Sequence, residues 1–274
     1  MTTGFAEING FRQRYRIRGE GPLAVFGHGL LGSIEQVDDN HGQLAELEER
    51  VRLLLYDARG HGQSEGPREA AGYTWEALGR DMSALIDWAG ADQAIVGGGS
   101  MGAATALWVA IEQPEKVRGL VLVMPPPLGH KPMRAEGEHQ AIMVLDMLAA
   151  AVENYGLETT VQLAKQIPGF AASPEDSEER ARWLLSQNPL ALTYAIRGLL
   201  ESPYHDPECY RAIRVPTLVL CHEGDGLHPA RAGRLLAEKI PDCELVIAGD
   251  PGYWRTHPRE FLTHITRYLD RLGC

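Results

Sequence analysis

Six short stretches of the chain, at 23–26, 51–56, 93–96, 119–124, 217–220 and 244–248, are apolar without alternation. A strand with one wet face alternates apolar and polar side chains. A continuous Val/Ile/Leu run is apolar on both faces, which suits a parallel sheet held between two layers of helices. Helical periodicity occupies most of the intervals, at about 40–50, 74–90, 101–113, 229–239 and 258–271. Ahead of the first run, Phe5-Ala-Glu-Ile-Asn-Gly-Phe-Arg holds Asn9-Gly10, a pair that tolerates the positive φ of a two-residue turn, so a hairpin is expected there. Strand–helix alternation of this kind predicts an α/β fold: a mostly parallel sheet with right-handed crossovers and helices on both faces.

One interval breaks the rhythm. Between Met124 and Thr217 there is no strand-like run, only helical patterns near 138–152, 154–167, 175–187 and 189–201. Pro125-Pro126-Pro127 opens the interval and Val215-Pro216 closes it, which suits stiff joints at both ends. The expected organisation is a core of 1–125 and 214–274 with an inserted helical lid at 126–213. Ile142, Leu145, Leu148 and Val152 recur at helical spacing and are expected to be the packing stripe of that lid rather than the lining of a pocket.

Composition narrows the function. The chain has 274 residues, 26 Lys+Arg against 37 Asp+Glu and a net charge of −11. No basic cluster stands out, which argues against nucleic acid and against an anionic membrane surface. No run reaches the ~18 apolar residues of a spanning helix, and the N-terminus lacks the basic and apolar regions of a signal peptide. Cys209, Cys221, Cys243 and Cys274 are scattered and read as reduced thiols, so a cytoplasmic setting is expected. No metal motif is present. Asp38-Asp39-Asn40-His41 reads as a loop and helix start, and Gly97–Gly99 lacks the context of a dinucleotide loop. Neither metal nor cofactor is expected. The expected partner is a small-molecule substrate, with self-association into a homo-oligomer left open.

The segments with chemical content follow the strand runs. Gly98-Gly99-Ser100-Met101-Gly102 has the form G-x-S-x-G at the end of one run and the start of a helical pattern. A strand that turns at once into a helix strains its apex residue, and small flanking residues relieve the crowding. The turn lifts the Ser100 hydroxyl above the sheet at a helix N-terminus, where amides favour developing negative charge. Val25-Phe-Gly-His-Gly-Leu-Leu-Gly-Ser places a backbone N–H, that of Leu30, toward the same site; with the N–H of Met101 it would form a two-donor oxyanion hole. His28 is read as a loop-ordering residue. In Tyr56-Asp-Ala-Arg-Gly-His-Gly-Gln-Ser, Asp57 and Arg59 are read as scaffold, bracing loops through a paired hydrogen bond.

In this order and spacing the three segments resemble the α/β-hydrolase superfamily over nearly the whole chain. The resemblance is to its lidded bacterial serine hydrolases, which include 3-oxoadipate enol-lactonases, C–C bond hydrolases, esterases and cofactor-free haloperoxidases. It implies a triad in the chain order Ser, Asp, His. The family's acid lies in a pattern like G-x-x-D-x-x-x-P, matched by Asp225 and Pro229. His222 and His228 flank that aspartate where family members commonly carry other residues, and they are not taken as the base. The family's histidine follows the last strand, where this chain has Asp250 and Pro251. His257, about six residues late, is the expected base, although it also suits the cap of a final helix that starts at Pro258; His264 is the remaining choice. Family members often carry a larger residue at Gly99.

The implied function is a serine hydrolase of an ester, lactone, thioester or activated C–C bond, working through an acyl-enzyme. Ser100 would attack, His257 would move the proton, Asp225 would orient it, and Leu30 and Met101 would hold the oxyanion. Two alternatives stay beside it. A hydrolase-like chain with a degenerate triad would act as a lyase, an isomerase or a ligand-binding protein; a plain interaction domain would leave the elbow unexplained.

Overall fold

A computed structural model describes residues 1–40, 44–128, 136–167 and 173–274. Its eight strands are β1 (Thr2–Ile8), β2 (Phe11–Arg18), β3 (Leu23–Gly27), β4 (Arg52–Tyr56), β5 (Ala94–Gly99), β6 (Val117–Val123), β7 (Thr217–His222) and β8 (Cys243–Ala248). They form one sheet in the order β1-β2-β4-β3-β5-β6-β7-β8. The hairpin turns at Asn9 and Gly10, both at positive φ, and runs antiparallel into β4; from β4 to β8 every pairing is parallel.

The unalternating runs are explained by the two layers. Leu54, Leu120 and Leu122 face one core with α2 (Trp75–Trp88), α3 (Met101–Glu112) and α8 (Ala230–Lys239). Their neighbours Leu53, Leu55, Val121 and Val123 face the other, with α1 (Ile34–Asn40) and α10 (Pro258–Arg271). Successive side chains of a strand point to opposite faces, so a sheet covered twice must be apolar at every position. Leu54 and Leu55 are both fully buried, each worth about 1.5–3 kcal/mol against exposure.

Between β6 and β7 the elements among the described residues are helical: α4 (Glu136–Tyr155), α5 (Leu157–Ala164), α6 (Pro174–Leu185), a π-helical turn at Ala191–Ala195 that runs into α7 (Ile196–Glu201), and a 3-10 turn at Pro207–Ala212. Gly156, at φ 77°, breaks α4 from α5, and Ser173 caps α6 by accepting from the Asp176 amide. These helices share a small core of their own around Ala149, Val152, Val161, Leu184, Leu192 and Ile196. Val152 belongs to that core and Leu145 and Leu148 pack against it, as the helical stripe predicted, while Ile142, Leu145 and Leu148 also line the cavity described below. Residues 129–135 and 168–172 of the expected lid lie outside the described residues.

Two elements differ from expectation. The helix expected at about 40–50 is instead α1 followed by a 3-10 turn at Leu44–Glu49. Asp38–Asn40 end α1 rather than starting a helix, and His41 lies outside the described residues. A short helix, α9 (Tyr253–Thr256), which no periodicity in the sequence predicts, lies between β8 and α10.

Candidate active site

The site is built on the β5–α3 turn. Ser100 sits at φ 50°, ψ −107°, a region that L-residues with a Cβ rarely occupy and that holds only where surroundings enforce it. Here its amide donates to Val123 O at 2.9 Å and the next-but-one amide, Gly102, donates to His28 O at 3.0 Å. The flanking glycines answer to crowding: a Cβ on Gly98 would lie 2.5 Å from Gly27 O, and one on Gly102 would collide with the same carbonyl. Gly99, in contrast, faces open space, so its small size is not required by the backbone.

Asp225 and His228 share one loop after β7. Asp225 Oδ1 accepts from the amides of Leu227 at 2.7 Å and His228 at 3.1 Å, closing an aspartate turn. That turn folds the His228 side chain back over Asp225: Nδ1 is 2.9 Å from Asp225 Oδ2, and Nε2 is 2.8 Å from Ser100 Oγ. A carboxylate only accepts, so Nδ1 carries the hydrogen and a neutral ring leaves Nε2 to accept from the serine hydroxyl. Burial works against the Asp225 carboxylate, but the hydrogen bond and charge of His228 and the two amides outweigh it and hold the carboxyl well below the usual range. The buried His222 also approaches Asp225, its Nε2 3.8 Å from Oδ2.

The structure therefore does not bring His257 to Ser100. That side chain is exposed, its ring stacks on Tyr253 at 3.9 Å, and Nδ1 meets Thr256 Oγ1 and Tyr253 O. The reason lies in the helices around it: His257 follows the four helical residues of α9 directly and precedes Pro258, which starts α10, so it is held as the joint between the two helices. His264, on α10, packs edge-on against Trp254. The histidine that meets Ser100 is His228, in place of the expected His257. A signal existed in Asp-x-x-His: an aspartate that caps its own turn commonly binds amides two and three residues on, which places the third side chain beside it.

His28 is buried, accepting at Nε2 from the Ala58 amide and donating from Nδ1 to Gly29 O at 2.7 Å, so it orders the loop before Leu30. Asp57 and Arg59 do brace loops, but not as a pair with each other. Asp57 accepts from the amides of Ile34 and Gln63, with Arg14 3.5 Å away, and Arg59 makes a two-point ion pair with Asp81, both contacts at 2.6 Å.

Ser100, Asp225 and His228 open into a cavity of about 780 Å³, with Leu30 and Met101 also on its wall. Most of the remaining lining is apolar, including Trp75, Leu145, Trp183 and Leu199.

Sheet order, elbow and loop positions define an α/β-hydrolase, and the model of the alpha/beta hydrolase fold family matches residues 22–254; the chain belongs to that family. Among its relatives, 3-oxoadipate enol-lactonase 2 of Acinetobacter baylyi is 30% identical over 75% of this chain and 73% of its own. A putative carbamate hydrolase, RutD, of Azorhizobium caulinodans is 28% identical over 84% of each. Among solved structures, the enol-lactonase from Burkholderia xenovorans LB400 superposes with a TM-score of 0.78 at 22% identity, covering 97% of this chain and 100% of that one, a likeness of fold. Among the described residues no helix is long and apolar enough to cross a membrane.

Proposed function

We propose that the protein is a serine hydrolase that cleaves a small ester, lactone, thioester or activated C–C bond through an acyl-enzyme, with Ser100 as nucleophile, His228 as general base and Asp225 as its orienting acid. The observation that carries this reading is the single His228 imidazole, 2.9 Å from Asp225 and 2.8 Å from Ser100. A serine hydroxyl is a weak nucleophile until a neighbouring base takes its proton. In the forward step Nε2 of His228 receives that proton as Oγ bonds to the substrate carbonyl carbon. The imidazolium so formed faces the Asp225 carboxylate, and it returns the proton to the leaving group as the tetrahedral species collapses. Water then repeats the sequence on the acyl-enzyme and frees Ser100.

The oxyanion is assigned to the amides of Leu30 and Met101. Met101 is the first helical residue of α3, so its N–H has no partner within the helix. The helices between β6 and β7 are assigned as a lid carrying most of the acyl or alkyl selectivity, because Leu145, Leu148, Trp183 and Leu199 form one wall of the cavity. The degenerate-triad alternative drew on a missing histidine after β8, and His228 supplies an imidazole from another loop.

The test pairs labelling with kinetics. A fluorophosphonate probe should add once per chain, and Ser100→Ala should abolish the label. Ser100→Ala and His228→Ala should each lower kcat by about 10⁴-fold or more, since triad members act as a unit. His257→Ala should stay within a few-fold of the parent. Normal turnover in His228→Ala, or a collapse in His257→Ala, would overturn the assignment.

A further inference from the structure

The chain carries a surplus of acidic residues, yet among the described residues lining the cavity the charged side chains are Asp225, Arg180 and Arg255. Asp225 is committed to His228. Among the described residues, no glutamate and no other aspartate lines the wall. Once the triad is set aside, the charge facing the bound molecule is positive, against the sign of the whole protein.

Arg255 is the more telling of the two. Arg180 lies 3.5 Å from Asp176 one turn away on α6, whereas the Arg255 guanidinium has no side-chain partner among the described residues. Its position is fixed from behind. The next-door Trp254 is 2% exposed and its indole donates to Cys221 O on β7 at 2.9 Å, which locks α9 to the strand that leads into the Asp225–His228 loop. Pro251, at the start of the same segment, lies against Gly224 of that loop. A two-residue anchor thus holds an unpaired guanidinium at the rim of an apolar chamber, on the same side as the acid and base.

A guanidinium offers planar paired donors that match a carboxylate or phosphate. A molecule of the protein's overall negative charge would repel an anion at long range, so admitting one calls for local positive charge at the entrance. We propose that the substrate carries an anionic group beyond its apolar body, away from the scissile bond, and that Arg255 reads it, with Arg180 on the same cavity wall adding to the field. The inference rests on the hydrolase reading and names the substrate class for that same cavity.

The experiment compares 4-nitrophenyl hemi-esters of the straight-chain C4 to C8 dicarboxylic acids with the neutral monocarboxylic esters of equal length. The quantity read is the ratio of kcat/KM, anionic over neutral, within each variant, so that any general loss of activity cancels. The parent should prefer the anionic ester at one or two chain lengths, chiefly through KM. Arg255→Gln should lower that ratio about five- to ten-fold, Arg255→Lys should keep part of it, and Arg255→Glu should push it below the glutamine value. Raising salt should shrink the parent's preference. A ratio that is the same in the parent and in Arg255→Gln at every length overturns the inference while leaving the hydrolase reading intact. Failure to turn over either series, with Ser100 unlabelled by the fluorophosphonate, overturns both.

Discussion

Acid should unfold this protein earlier than its carboxylates alone would require. His28 and His61 are 2% and 1% exposed, with ring centroids 5.1 Å apart. Burial pushes His28 down to about 4, against weaker upward pulls from the Gly29 carbonyl and Glu35. Burial also pushes His61 down to about 3, helped by the neighbouring His28 and opposed by the Arg59 carbonyl. An imidazole in an unfolded chain titrates near ~6.5. The folded state therefore keeps both rings neutral while the unfolded chain takes up protons, so stability is full above that value and falls as pH drops through it. At pH 5 each ring favours the unfolded chain by about 2 kcal/mol, or about 4 kcal/mol for the two, a large part of the 5–15 kcal/mol of a typical domain.

The window separates these rings from two carboxylates. Glu35, held at about 2 by hydrogen bonds from Arg14 against the cost of its burial, and Asp225, also depressed, contribute stability that is lost only as pH falls below the ordinary carboxylate range. Asp57 acts in the opposite sense, since burial raises it, but it is common to every variant compared. Urea melts at pH 8, 6.5 and 5 would show the loss as a falling midpoint, and His61→Asn should remove roughly half of the slope. Equal midpoints at pH 8 and pH 5, or an undiminished slope in His61→Asn, would refute the reasoning.

Two further changes probe the scaffold. Asp81→Ala strands the Arg59 guanidinium, which is 8% exposed, and should cost about 3–5 kcal/mol in a urea melt, as loss of one partner from a buried pair does; Asp81→Asn should recover part of it. Gly102→Ala drives a methyl into the Gly27 carbonyl and should lower thermal stability measurably, whereas Gly99→Ala, with nothing within 4 Å of the new carbon, should be close to neutral in the same scan.

The sheet was legible because its signals are local. Asn9-Gly10 demands a turn, and doubly buried strands leave unbroken apolar runs. Ser100 was legible for a like reason, since the small residues around it answer to contacts within the turn and with Gly27. The base was not. Distance along the chain pointed to His257, but which imidazole reaches Ser100 depends on how two loops fold in space, and Asp225 binding the amides of its own turn decided that in favour of His228. The 3-10 turn at Leu44–Glu49 escaped for another reason: Leu44 and Leu47 repeat every three residues, a spacing that an α-helix and a 3-10 turn share.

In the proposed triad, carrying the acid and the base three residues apart also changes the mechanics of the site. Three groups carried on three separate loops have three independent movements to hold in register. Here two of them ride on one turn whose shape is set by its own hydrogen bonds, so the register reduces to a single relative coordinate, the separation between that turn and the β5–α3 elbow. The segment after β8 carries none of the three proposed groups, so its side chains have no part in holding that register.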